Sequence, residues 1–124
     1  MKNTEESIMY RVVVSDHFDA AHHLPGVDVC CRPHGHTFRV EACVCTSVLN
    51  PQGMVVDFRA IKQAWNKYDH DDLNDFFDMP TAENLCKMIF DDITRIVELT
   101  GRLIWVEWVK IWESPDAYCE FRGE

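Results

Sequence analysis

No stretch of this chain keeps apolar residues together for the roughly 18 positions that a membrane-crossing helix requires. The opening residues, MKNTEESIMY, hold no apolar secretion core and no other targeting pattern. Positive charge is scarce: 12 Lys and Arg stand against 21 Asp and Glu, a formal net charge of -9. That deficit argues against a general nucleic-acid binder, which needs a basic footprint. It argues equally against recruitment to an anionic membrane surface. Glycine and proline number only 5 each, and there is no internal repeat, linker or low-complexity segment, which excludes collagen-like and disordered classes.

What remains is a chain of 124 residues, 47% hydrophobic and 27% charged, the composition of one globular domain spanning 1–124. Oligomerisation would help a core of this size. With no secretion signal, the expected compartment is the reducing cytoplasm. The 6 cysteines (Cys30, Cys31, Cys43, Cys45, Cys86 and Cys119) are therefore expected as free thiols. Cys43, Cys45 and Cys86 fall inside apolar patterns and read as small core residues.

Periodicity gives the elements. Residues 8–17 alternate, with Ile8, Tyr10, Val12 and Val14 on one side, and read as a strand. Residues 18–36 hold Pro25, Gly26, Pro33 and Gly35 and read as a loop. A second strand runs over 37–48, with Phe38, Val40, Ala42 and Val44 on one face. After a turn at 50–53, Asp57 caps a helix carrying Phe58, Ile61, Trp65 and Tyr68. Residues 74–80 form a polar loop, and Thr81 caps a second helix with Leu85, Met88, Ile89, Ile93, Ile96 and Val97 on one side; Gly101 stops it. Residues 103–113 read as a strand, 114–116 as a turn, and 117–122 as a last short strand. The order predicts an α+β fold, an antiparallel sheet with two helices on one face. The other face must be wet or covered by another subunit. Trp105, Trp108 and Trp112 depart from a strict period of two, so large rings are expected on both faces of their strand, a hint of a subunit contact.

The chemistry concentrates in CCRPHGHTF, residues 30–38. In an extended segment His34 and His36 project to the same side and can grip one metal ion. If the first two strands pair as a hairpin, His22 at the end of one faces both. Three histidines without a fourth protein ligand are the pattern of an open, catalytic zinc. Cys30 or Cys31 could instead close the site into an inert structural one, and His17 and His23 are rival imidazoles. In YDHDDLN, His70 could set the protonation state of a cysteine while Asp69 or Asp71 holds the ring. Such a thiol is a workable general base. Thr81 is explained as a cap and Glu83 by the helix dipole. Glu113, at a strand end, suits a ligand with two neighbouring N–H donors.

FDAAHHL, C-x3-HGH, GMVVDF, DHDDLN, PTAEN and the late Glu113, in this order, resemble the 6-pyruvoyltetrahydropterin synthase / 6-carboxytetrahydropterin synthase family from about Tyr10 to the C-terminus. The resemblance implies the tunnelling fold: a four-stranded antiparallel sheet with two helices, assembled into trimers whose sheets close a barrel, usually stacked as hexamers. It implies Zn2+ on His22, His34 and His36, and 7,8-dihydroneopterin triphosphate bound between subunits. Glu113 would anchor the pterin's pyrimidine edge, with Thr81 and Glu83 lining the pocket. Cys30 matches the family's catalytic thiol, with His70 and Asp69 as relay partners. The C-x3-HGH spacing resembles the bacterial 6-carboxy enzyme of 7-deazaguanine and queuosine synthesis, which releases acetaldehyde and triphosphate. The 6-pyruvoyl reaction, a related dihydroneopterin side-chain cleavage and a non-catalytic zinc module are the alternatives. Cys31 departs from the family pattern. Arg32, Arg39, Lys110 and Arg122 are the candidates for holding the triphosphate.

Overall fold

A computed structural model describes residues 9–27 and 31–123. Two long strands, β1 (Tyr10–His22) and β2 (His34–Thr46), pair antiparallel along their whole lengths. Helix α1 (Phe58–Asn66), a two-residue strand β3 (Asp71–Asp72), a 3-10 turn over Leu73–Asp75 and helix α2 (Ala82–Glu98) follow. Strands β4 (Ile104–Ser114) and β5 (Ala117–Arg122) close the chain. The sheet order is β3-β1-β2-β4-β5. The α+β layout and the two helices agree with the sequence. The four antiparallel strands are joined by a fifth: β3 pairs in parallel with Ala20 and Ala21 at the β1 edge.

The sequence also placed a loop over 18–36 that the structure shortens. β1 continues to His22 and β2 starts at His34, because Phe18 packs on Phe38 with ring centroids 5.2 Å apart and so carries the hairpin onward. Polar His, Asp and Gly residues hid this extension from a reading by apolar alternation.

Alternation on β2 sends Phe38, Val40, Ala42 and Val44 into the core, all fully buried. α1 lays Ile61, Ala64 and Trp65 on them, and α2 adds Leu85, Cys86, Ile89, Ile93 and Val97. Both predicted caps form. Asp57 accepts from the Arg59 backbone N–H at 2.9 Å, and Thr81 accepts from that of Asn84 at 3.1 Å. Tyr68 lies one residue past the α1 C-cap yet is buried. The indole N–H of Trp65 donates to Asp16 at 3.0 Å, so this large buried ring leaves no unpaired donor. Gly101 takes φ 70°, the left-handed conformation that ends α2.

Two expectations need correction. β4 carries an irregularity opposite Cys43 and Val44: Val106 faces Val44 and Trp108 faces Cys43, leaving Glu107 as the extra residue of a bulge. The bulge resets the alternation. Trp105, Trp108 and Trp112 then stand opposite Cys45, Cys43 and Arg39, and all three rings share the face away from the helices. Large rings are therefore not on both faces of β4. By the same register, Cys43 and Cys45 belong to that outer face and not to the helix-covered core, whereas Cys86 is a core residue as expected.

Candidate metal centre and adjoining pocket

The hairpin register sets His22 directly across from His34, with His36 opposite Ala20. Opposite residues of an antiparallel pair share a face, and i and i+2 share it again. The three rings therefore converge: their centroids lie 4.7 Å (His22 and His34), 5.0 Å (His22 and His36) and 4.8 Å (His34 and His36) apart. One nitrogen from each lies within 4.8 Å of the other two.

Their tautomers follow from their partners. Nδ1 of His22 is 2.8 Å from the Pro80 carbonyl, and Nδ1 of His34 is 2.8 Å from the Arg32 carbonyl. A carbonyl only accepts, so each Nδ1 carries the proton and the neutral ring presents its Nε2 lone pair. Nε2 of His22 and of His36 is buried without a hydrogen-bond partner. Such orphaned ring nitrogens cost about 1–3 kcal/mol each unless something fills the gap between them. A metal ion fits that gap, and the carbonyls are the outer-sphere partners that ligating imidazoles ordinarily have. Burial lowers the pKa of His36, with partial opposition from Glu113 and further lowering from His22 and His34, which favours the neutral, ligating form.

The rival imidazoles stand elsewhere. Asn74 brackets His23, accepting from its backbone N–H at 2.9 Å and donating to its carbonyl at 3.0 Å. His17 lines a cavity on the other side of the sheet. Cys31 is an exposed free thiol, and Cys30, the expected catalytic thiol, lies outside the described residues.

Glu113 reaches the histidines directly. Its Oε2 is 3.8 Å from Nε2 of His22 and 3.7 Å from Nε2 of His36. It lines a cavity of about 370 Å3 together with His36, Glu83, Ser114 and Tyr118. It also borders a second cavity, of about 520 Å3, lined by His17, Thr37, Arg39, Trp112, Ser114 and Pro115. Arg39 is the cation of that second cavity; its guanidinium lies over Trp112 at 4.7 Å and pairs with Glu41. Lys110 and Arg122 are set further along the outer face, on Trp108 and Glu120. Thr81 does not line the smaller cavity, although its neighbours Ala82 and Glu83 do.

His70 and Asp69 form a separate group with Asp19. Asp69 accepts from the Asp19 backbone N–H at 2.9 Å, and the His70 backbone N–H donates to the Asp19 carbonyl at 2.6 Å. Thr37 Oγ1 donates to Asp19 at 2.6 Å, and His70 Nε2 lies 3.6 Å from Asp69. His70 holds φ 63°, a left-handed conformation uncommon outside glycine. A carboxylate oxygen of each of the exposed Asp19 and Asp69 thus lies within 4.8 Å of a His70 ring nitrogen, while Asp71 pairs with Ala20 in the edge strand β3. Sequence reasoning missed Asp19. Its signal was the hairpin register, which puts it opposite Thr37.

Comparison with known proteins agrees with this arrangement. The 6-pyruvoyl tetrahydropterin synthase family profile matches residues 11–124. The chain is 37% identical over 113 residues to an Archaeoglobus fulgidus protein provisionally named a 6-carboxy-5,6,7,8-tetrahydropterin synthase, covering 88% of this chain and 92% of that one. It is 32% identical over 117 residues to the Bacillus subtilis 6-carboxy-5,6,7,8-tetrahydropterin synthase (86% and 80% covered). It is 33% identical over 110 residues to the Pyrococcus furiosus dihydroneopterin monophosphate aldolase (86% and 91% covered). In fold it is similar to the Caenorhabditis elegans 6-pyruvoyl tetrahydropterin synthase, with a TM-score of 0.75 at 21% identity and 95% and 98% of the two chains covered. The tunnelling-fold architecture, the histidine hairpin and the profile match agree: the chain belongs to the 6-pyruvoyl tetrahydropterin synthase family.

Proposed function

We propose that this protein is a 6-carboxytetrahydropterin synthase that converts 7,8-dihydroneopterin triphosphate and water to 6-carboxytetrahydropterin, acetaldehyde and triphosphate. The observation that carries the reading is the convergence of three imidazoles, two with buried unpartnered Nε2 atoms, beside a cavity that Glu113 shares. His22, His34 and His36 would hold Zn2+. When bound, the ion supplies Lewis-acid polarisation of the substrate's side-chain hydroxyls, making the adjacent C–H more acidic. Glu113 accepts from the pterin's ring-edge N–H groups, a charge-assisted pairing that orients the side chain toward the histidines. Glu83 borders the same cavity, and Thr81 fixes that end of α2 through its cap. Cys30 removes and returns the protons, and His70, supported by Asp69, tunes its ionisation. Arg39, in the neighbouring cavity, is suited to draw the triphosphate into a protein of net charge -9.

The outer face with its three Trp rings suits a trimer or dimer of trimers closing a barrel, and a cytoplasmic setting would keep the Cys30 thiol reduced. The product would feed 7-deazaguanine and queuosine synthesis. No helix among the described residues is long and apolar enough to cross a membrane.

A second reading is favoured by the Pyrococcus furiosus relative: retro-aldol cleavage of a dihydroneopterin phosphate side chain. Incubation with the triphosphate and, separately, the monophosphate, followed by mass analysis, decides between them. Acetaldehyde with a 6-carboxy pterin from the triphosphate is the expected result. A pyruvoyl product, or turnover of the monophosphate alone, would overturn the assignment.

A further inference from the structure

A second group of ligating side chains lies far from the histidines. On the sheet face away from the helices, Cys43, Cys45 and Glu107 bring two thiols and a carboxylate within 4.8 Å of one another. Cys43 and Cys45 project together as i and i+2 of β2, and both are fully buried. The β4 bulge supplies the third member by inserting Glu107 opposite them. Cys43 is seven residues beyond His36 on the same strand, about 24 Å at about 3.4 Å per residue, so the two groups cannot share an ion.

The spacing suits a metal. Around a tetrahedral ion with sulfur at about 2.3 Å and carboxylate oxygen at about 2.0 Å, the sulfur-to-oxygen edge is about 3.5 Å. The Glu107 Oε1 lies 3.9 Å from the Cys43 Sγ and 3.3 Å from the Cys45 Sγ, on either side of that length. Arg11 already holds the carboxylate from outside, Nε at 3.1 Å to Oε1 and Nη2 at 3.2 Å to Oε2, the kind of outer-sphere contact that orients a ligating carboxylate. Charge also balances. Two thiolates and a carboxylate bring three negative charges, and Arg11 with a divalent cation brings three positive ones. Binding would release the two thiol protons.

We propose that Cys43, Cys45 and Glu107 form a second, thiolate-rich site for a thiophilic divalent cation of the zinc or cadmium class, with Arg11 as a positioning residue. Thiolate donors select such ions over magnesium or calcium.

Cobalt(II) is the probe, added under reductant to the full chain carrying Cys30→Ser, Cys31→Ser and Cys119→Ser, which removes the two thiols that precede His34 in sequence and the one that lines the cavity of His36 and Glu113. The expected result is a near-ultraviolet thiolate-to-cobalt charge-transfer band that disappears with Cys43→Ser and Cys45→Ser, and an affinity at least tenfold weaker in Glu107→Gln. Absence of the band, or its survival without Cys43 and Cys45, overturns the proposal. The unmutated chain gives a check independent of folding. Loaded with cadmium-113, it should show a resonance in the range of two-sulfur coordination; resonances only in the nitrogen–oxygen range would overturn the site. A Cys43–Cys45 disulfide that persists under reductant, with no uptake of either ion, would also overturn it.

Discussion

Replacing His36 with Leu separates a metal ligand from a core histidine by the sign of its effect. In the folded chain, Nε2 of His36 is buried and unpartnered, 3.7 Å from the Glu113 carboxylate. Without metal, that orphaned nitrogen costs about 1–3 kcal/mol, and His36→Leu removes it. The imperfect shape match of a leucine costs up to about 1–2 kcal/mol in return. The metal-free variant should therefore be within about 1 kcal/mol of the metal-free parent. With Zn2+ at a hundred times its dissociation constant, the parent gains about 2.7 kcal/mol. For a chain of this size, at about 3–5 °C per kcal/mol, that is a rise in Tm of about 8–14 °C, and His36→Leu should lose it. Thermal denaturation of both proteins with chelator and with zinc reads all four values. A metal-free His36→Leu protein destabilised by more than about 3 kcal/mol, beside a parent indifferent to zinc, would refute the ligand assignment and make His36 a packing residue.

Other substitutions test the neighbouring parts. Glu113→Gln should leave zinc content unchanged and lower kcat/KM for the pterin by about 10- to 100-fold, the loss of a charge-assisted hydrogen bond of about 1.5–3 kcal/mol; steady-state kinetics with metal analysis will show it. Thr81→Ala should cost about 1 kcal/mol in urea unfolding through the lost α2 cap, with little change in kcat. Burial pushes the Cys86 thiol up to about 12, and its Sγ donates to the Val109 carbonyl at 3.0 Å. Alkylation of the native protein near neutral pH followed by peptide mapping should accordingly label Cys31 and leave Cys86 unmodified.

Much of the histidine site was legible because it depends on local geometry. His34 and His36 are fixed by the strand period, and His22 follows from the hairpin they imply. The helices were legible because Asp57 and Thr81 announce their starts and Gly101 one end. What escaped depends on pairing between distant segments. The bulge at Glu107 turns three tryptophans to one face and brings a carboxylate to Cys43 and Cys45, and nothing within β4 itself marks it. The polar ends of β1 and β2 read as loop because the ladder, and not an apolar pattern, keeps them extended. Asp19 was passed over for the same reason: its partners Thr37 and Asp69 come from a paired strand and from a turn 50 residues away.

The central claim is an open metal site with a thiol working beside it, as opposed to a metal site that the thiol closes. Zinc content and turnover of dihydroneopterin triphosphate, measured side by side on Cys30→Ala, test this most directly. The account predicts the same zinc content as the parent and no turnover. Loss of zinc from the histidine site together with the thiol would contradict it, and would make Cys30 the fourth ligand of a structural centre.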